Sequence, residues 1–227
     1  MLAPFKDILP EDTIQGYALP VSDGSARNRA GIRAAMQALE DADFTAQDGT
    51  MRNNAGKPLS FAILLSKGST ENMAIAELYI QALKRLGIEA TVDAVDDAQF
   101  VARNNEFDFD MAIFRRALSL SPGNEQRYYW GSEAADQPGS RNLMGVKSPA
   151  IDALIDRMVG AKSTQEFTTA TRALDRVLTA GRYVIPFWQF TQDRIAHIAA
   201  LKYPGHVPLY GDGPNYMPEV WWIDPNR

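Results

Sequence analysis

Leu59-Ser60-Phe61-Ala62-Ile63-Leu64-Leu65 is an apolar run of the length and composition of a buried strand, and the segment after it changes period. Ile75, Leu78, Tyr79, Ala82 and Leu86 fall at helical spacing, with Ser69 or Thr70 placed to cap the start and Gly87 to close the end in the left-handed conformation. Ala90 to Val95 reads as a second strand. Ala98 to Asn104 reads as a short helix behind the acidic caps Asp96 and Asp97, and Phe109 to Phe114 as a third strand. Three strands separated by two helices predict a mainly parallel sheet, because parallel neighbours need a crossover connection. The expected fold class is therefore α/β.

Upstream, Pro4, Pro10, Gly16 and Pro20 punctuate a lead-in. Ile32, Ala35, Met36 and Leu39 then make one stripe of an amphipathic helix over residues 25–42. Asp48-Gly49 and Gly56-Lys57-Pro58 mark a connection that reads equally as a hairpin or a loop. Downstream, residues 115–147 show no period and read as one long irregular segment, the kind of loop that carries function.

Two helices follow. Ser148-Pro149 starts the first, whose stripe is Ile151, Leu154, Ile155, Met158 and Val159. Ser163 and Glu166 have capping-box spacing ahead of the second, and Gly181 is its stop. Tyr183 to Phe190 and Asp193 to Ala199 read as strands, the first placed at an edge or bend by Pro186. The last stretch, 203–227, holds five of the 13 prolines and two of the four tryptophans, a tail whose Trp221, Trp222 and Ile223 call for burial. The expected organisation is a lead-in with one helix over 1–58, an α/β lobe over 59–200 and a tail over 201–227.

Composition narrows the chemistry. The 227 residues are 45% hydrophobic and 22% charged, the balance of a chain with a packed core. A net charge of −5 disfavours nucleic acid as a partner. Zero cysteine removes disulfides, thiol catalysis and thiolate metal sites, and two histidines nine apart lack a metal-binding spacing, so neither a metal nor a cofactor is expected. Gly211-Asp212-Gly213 is followed by Pro214 and reads as a turn, not as a dinucleotide loop. Neither a phosphate-loop nor a nucleophile-elbow motif occurs, so no enzyme activity is expected. The pairs Asp96/Asp97 and Asp108/Asp110 read as solvated acids of strand and helix ends.

The stretch Arg115-Arg116-Ala117-Leu118-Ser119-Leu120-Ser121 leaves the carboxyl end of the third strand, where open α/β sheets bind ligands. Two readings stand for it. Either the guanidinium forks grip ligand carboxylates or carbonyls, or Arg115 and Arg116 pair with local acids while the aromatics pack beneath the loop.

Several segments have the form of family words. Gly56 to Leu65, Leu83-Lys84-Arg85-Leu86-Gly87-Ile88, Ala90 to Val95, Phe107-Asp108-Phe109-Asp110-Met111, Ser148 to Asp156 and Val184-Ile185-Pro186-Phe187-Trp188 occur in this order. They resemble the C-terminal lobe of family 5 extracellular solute-binding proteins, the peptide- and nickel-binding receptors of bacterial ABC importers. Trp130 to Asp136, Pro138 to Asn142 and Trp221 to Asp224 are similar to the oligopeptide and microcin C type branch.

The resemblance implies a type II periplasmic-binding-protein lobe, part of a longer exported protein with a signal peptide and a first lobe upstream. It implies a periplasmic, non-enzymatic receptor that takes a peptide or peptide-like molecule between two lobes and hands it to ABC permease subunits in the membrane. Carried onto this chain, it makes Arg115, Arg116, Ser119, Ser121 and Asn142 the expected ligand contacts. Trp130 and Trp188 are expected in the core, with an aromatic wall of the cleft as the alternative. Family members that fix a free peptide N-terminus carry an aspartate soon after the third strand. Here the first acid is Glu125, so either Glu125 substitutes or the ligand lacks that group. A ligand-sensing domain of a transcription regulator and a peptide-directed hydrolase are the rival readings.

Overall fold

A computed structural model of the chain describes residues 1–25, 27–116, 121–187, 194–206 and 220–225. They divide into two compact units. The larger takes in 1–116 and 123–183, and the smaller 117–122 and 184–227.

In the larger unit the lead-in forms α1 (Glu11–Gln15) and α2 (Arg29–Asp41). The α2 stripe of Ile32, Ala35, Met36 and Leu39 packs on the buried Met51, Leu83, Leu86 and Ile88, as its spacing predicts. The connection after α2 is a hairpin of β1 (Phe44–Gln47) and β2 (Thr50–Asn53), turning at Asp48 and Gly49, both with positive φ. Gly87 ties this hairpin to the body of the unit. Its carbonyl accepts from Met51 N at 2.8 Å, its φ is +75°, and a β-carbon there would lie 2.9 Å from the Gly49 carbonyl oxygen.

The central β3 (Ser60–Ser66), α3 (Thr70–Lys84), β4 (Glu89–Val95), α4 (Asp97–Asn105) and β5 (Met111–Ala112) realise the alternation read from the sequence. The sheet has order β4-β3-β5 and both pairings are parallel, with Ile63 opposite Val92 and Met111. Ile63, Leu64 and Leu65 are each about 1% exposed, which explains why this strand reads as a continuous apolar run. Burying each such side chain contributes roughly 1.5–3 kcal/mol. The third strand is shorter than its expected span of 109–114: Asp110 spends its carboxylate on the backbone, accepting from Ala62 N at 2.9 Å. Asp96 caps α4 by accepting from Gln99 N at 2.9 Å, and Asp97 accepts from Ser66.

Residues 121–147 are more regular than the lack of period in this segment implies. They hold α5 (Glu125–Trp130) and a 3-10 turn at Ser132–Asp136. Six residues are too few to display a helical stripe. Next come α6 (Pro149–Val159) and α7 (Thr164–Ala180), packed together through Ile151, Leu154, Ile155, Met158, Ala170, Leu174 and Val177. Ser163 accepts from Glu166 N at 3.1 Å as the capping box requires, while the Glu166 carboxylate reaches back to Lys162 N at 2.9 Å. Gly181 directly follows the last residue of α7, as its reading as the stop expects, with φ −69°, and Arg182 takes the positive value of 52°.

The expected strands over 183–190 and 193–199 do not form among the described residues 183–187 and 194–199. Val184, Ile185 and Phe187 are instead half exposed, and Val184 and Ile185 enter no strand ladder among the described residues. The pairing lies further on, where β6 (Leu201–Lys202) runs antiparallel to β7 (Trp222–Ile223). Trp222 and Ile223 are 52% and 57% exposed, contrary to the burial expected of them. Tyr203 and Trp221 stack at 4.7 Å and both meet the His197 ring edge-on. Gly211-Asp212-Gly213 lies outside the described residues. No helix among the described residues is long and apolar enough to cross a membrane.

Candidate ligand-binding site

The segment leaving β5 delivers Phe114, Arg115 and Arg116 to the carboxyl end of the parallel sheet. Arg115 is exposed, and its guanidinium meets Glu71 on the first turn of α3 at 2.8 Å. A pair this open to water contributes about 0–1 kcal/mol.

Arg116 is half-buried among aromatic rings. Its guanidinium carbon lies 4.1 Å from the centre of the Tyr129 ring and 5.2 Å from those of Phe114 and Trp130. Its Nη2 donates to the Arg141 carbonyl at 2.7 Å, and its Nε is buried with no hydrogen-bond partner among the described residues. Burial pushes its pKa below the ordinary guanidinium value; the Tyr129 hydroxyl opposes that shift and the positive charge of Arg141 adds to it. Arg116 stays protonated; the downward direction reflects first the burial of its guanidinium.

The loop carrying Arg141 is fixed by Asn142, which is fully buried. Its amide nitrogen donates to the carbonyls of Gly131 at 3.0 Å and Val146 at 2.8 Å, and its oxygen accepts from Val146 N at 2.9 Å. Ser140 Oγ donates to Ala134 O at 2.6 Å and accepts from Asn142 N at 3.2 Å. Gly131 is hemmed in at this junction: a β-carbon would lie 2.5 Å from the Arg127 carbonyl oxygen. Ser132 fastens the same loop to α6, donating to Asp152 at 2.6 Å through its hydroxyl and 2.9 Å through its backbone, and accepting from Ser148 N at 3.0 Å. Beside it lies a cavity of about 450 Å³ lined by Arg127, Tyr128, Glu133, Asp152 and Asp156 among others, with Arg127 paired to Asp156.

Of the five residues expected to touch ligand, Arg116 and Asn142 converge on this loop through Arg141, while Arg115 diverges toward α3. Ser121 is exposed and belongs to the smaller unit. Ser119 lies outside the described residues, as does Trp188. Trp130 is partly buried and packs on the α6–α7 core, its ring also beside Arg116. Glu125 turns back on its own loop, accepting from Gly123 N at 2.9 Å and Gln126 Nε2 at 3.1 Å; these bonds hold its carboxyl below the ordinary value. Arg141 and Tyr129 went unread in the sequence. The only signal was their place inside the segment 115–147 and, for Arg141, in the family-like word Pro138 to Asn142.

A parallel three-stranded sheet with helices between its strands is an α/β arrangement, and likeness to solved structures places it with the type II periplasmic-binding-protein fold. The oligopeptide-binding protein AppA of Bacillus subtilis, solved with a nonapeptide, superposes with a TM-score of 0.63 at 19% identity, over 84% of this chain and 37% of that one. At that identity the likeness concerns the fold.

The model of bacterial extracellular solute-binding proteins, family 5 (middle region), matches residues 7–138, and the chain belongs to that family. Protein y4wM of Sinorhizobium fredii is 44% identical over 219 residues, covering 96% of this chain and 32% of its own length. The probable peptide-binding protein YejA of Agrobacterium fabrum is 38% identical over 224 residues, covering 98% of this chain and 36% of its own. The chain thus spans about a third of the length of the curated relatives it matches.

Proposed function

We propose that the chain is the C-terminal lobe of the substrate-binding component of a bacterial ABC importer, which captures oligopeptide-like solutes in an interlobe cleft in the periplasm and delivers them to the permease. In this proposal residues 59–200 carry the ligand-facing lobe, with 1–58 and 201–227 flanking it. The observation that carries the reading is family membership across residues 7–138, a span that includes Arg115 and Arg116 and stops before Asn142. Family membership supports a transport receptor over a regulator's sensing domain and over a hydrolase. Peptide as the ligand class is supported by the name of the Agrobacterium relative and by the nonapeptide in the Bacillus structure.

Arg116 serves as a fixed cationic donor to ligand oxygens and Arg115 as an exchangeable one, because its ion pair with Glu71 breaks at little cost. Ser119 and Ser121 supply adaptable hydrogen bonds. Asn142 acts from behind, its side chain fully engaged in holding the loop. No covalent step is involved. Calorimetry with a mixture of short peptides tests the two-lobe mechanism: submicromolar binding is expected for the full-length receptor and weak or no binding for these 227 residues alone. Equal affinity in both would contradict it.

A further inference from the structure

The start of α2 and the end of α3 meet at a corner of the larger unit that gathers cations. Arg85 Nη1 donates to the Arg27 carbonyl at 3.1 Å, and the α2 stripe packs on Leu83 and Leu86. Arg27, Arg29, Arg33, Lys84 and Arg85 are all exposed. The first four form no ion pair among the described residues, whereas Arg103, Arg115, Arg127, Arg182 and Lys147 all do. Asp23 is the only acid between Leu19 and Leu39, and its carboxylate accepts from the backbone N–H and the hydroxyl of Ser25 at 2.8 and 2.7 Å. A chain of net charge −5 thus carries a local positive field here.

Helix stability accounts for only part of this field. Lys84 and Arg85 stand at the C-terminal end of α3, where cations are favoured. Arg29 and Arg33 open α2, where a helix disfavours cations, and the first turn holds no acid to offset them. Their spacing of four residues adds like-charge repulsion. The turn ahead of them is folded onto the helix start by Asn28 N, which donates to Ser25 Oγ at 3.0 Å. Before that turn stand Leu19 and Val21, 46% and 90% exposed. Exposed aliphatic side chains beside unneutralised cations match a surface that is anionic outside and apolar beneath, as a phospholipid bilayer is.

We propose that this corner is a peripheral docking surface for an anionic phospholipid bilayer. Arg27, Arg29 and Arg33 meet the headgroup phosphates, Lys84 and Arg85 widen the positive face, and Val21 enters the boundary between headgroups and acyl chains. The contact is reversible, since a few cations and one aliphatic side chain give only weak anchoring. It stands independently of what the protein binds as solute. Its use, holding the protein on the membrane beside the permease, rests on the receptor reading above.

The test is co-sedimentation of the full-length protein with vesicles of phosphatidylcholine alone or with phosphatidylglycerol added. Binding is expected only to the anionic vesicles and is expected to be lost at high salt. The double variant Arg29→Gln/Arg33→Gln should bind about tenfold to hundredfold more weakly, and Val21→Ser about threefold to tenfold. Lys57→Gln/Lys162→Gln removes the same charge at exposed positions elsewhere and should bind as the wild type does; melting temperatures confirm that each variant folds. Absence of wild-type binding to anionic vesicles, equal binding to neutral ones, or an equal loss in the Lys57/Lys162 variant would overturn the surface. Weaker stimulation of the permease in detergent by Arg29→Gln/Arg33→Gln, with no vesicle binding by the wild type, would assign the corner to an acidic protein face and overturn it too. Peptide affinity measured on the same samples should not change in Arg29→Gln/Arg33→Gln. Vesicle binding without any peptide binding would leave the surface standing and refute the receptor reading; peptide binding without vesicle binding would do the reverse.

Discussion

The guanidinium carbon of Arg116 lies 4.1 Å from the centre of the Tyr129 ring, close enough that the cation and the face of the ring attract each other directly. This contact separates two arginines that are adjacent in sequence. Arg115→Ala removes only an exposed pair with Glu71 and is expected to change stability by less than about 1 kcal/mol. Arg116→Ala strips a half-buried cation from three rings and is expected to cost about 1–2 kcal/mol. Urea denaturation of the two variants checks the difference; equal effects would show that the ring contacts contribute nothing.

Asn142 is expected to be among the least replaceable polar residues of the lobe. Asn142→Ala leaves the carbonyls of Gly131 and Val146 and the amide of Val146 without their partners inside a buried loop. A loss of about 3 kcal/mol is expected, seen as a lower denaturation midpoint at unchanged slope.

Gly87 sits where the backbone needs both a positive φ and the absence of a β-carbon. Gly87→Ala is expected to destabilise by about 1–2 kcal/mol from the backbone angle alone, and further because the new methyl meets the Gly49 carbonyl oxygen at 2.9 Å. The hairpin of β1 and β2 should lose amide-exchange protection first, since Met51 N bonds to Gly87.

Glu125 gives the loop a pH dependence of known sign. Hydrogen bonds from Gly123 N and then Gln126 favour its carboxylate and lower its folded value from the ordinary 4.5. The stabilisation is therefore complete above that ordinary value and is lost as pH falls through the lowered folded one. Carboxyl-carbon titration by NMR should show the depressed midpoint, and protection of the Gly123 amide should fall over the same range. In Glu125→Gln the amide protection should become independent of pH there.

The βαβαβ core was legible because Ile63, Leu64 and Leu65 are buried on both faces of a strand and the α3 residues repeat at helical spacing. Among the described residues the same rules over-read 183–187 and 194–199, where Val184 and Ile185 have the composition of a strand but no partner ladder. Strand propensity states what fits a pleated surface, not whether one is present. The site was less legible than the sheet. Arg115 and Arg116 look equivalent in sequence, and only the position of Glu71 on α3 and of Tyr129 on α5 separates them. Asn142 announced polarity, not burial: its role depends on three backbone groups up to eleven residues away closing around it.

Mass spectrometry of the molecules that co-purify with the full-length receptor tests the central claim most directly. The account predicts peptides or peptide-like solutes, depleted from the Arg116→Lys variant. Recovery of an oligosaccharide or a nickel chelate in their place, retained equally by that variant, would contradict it.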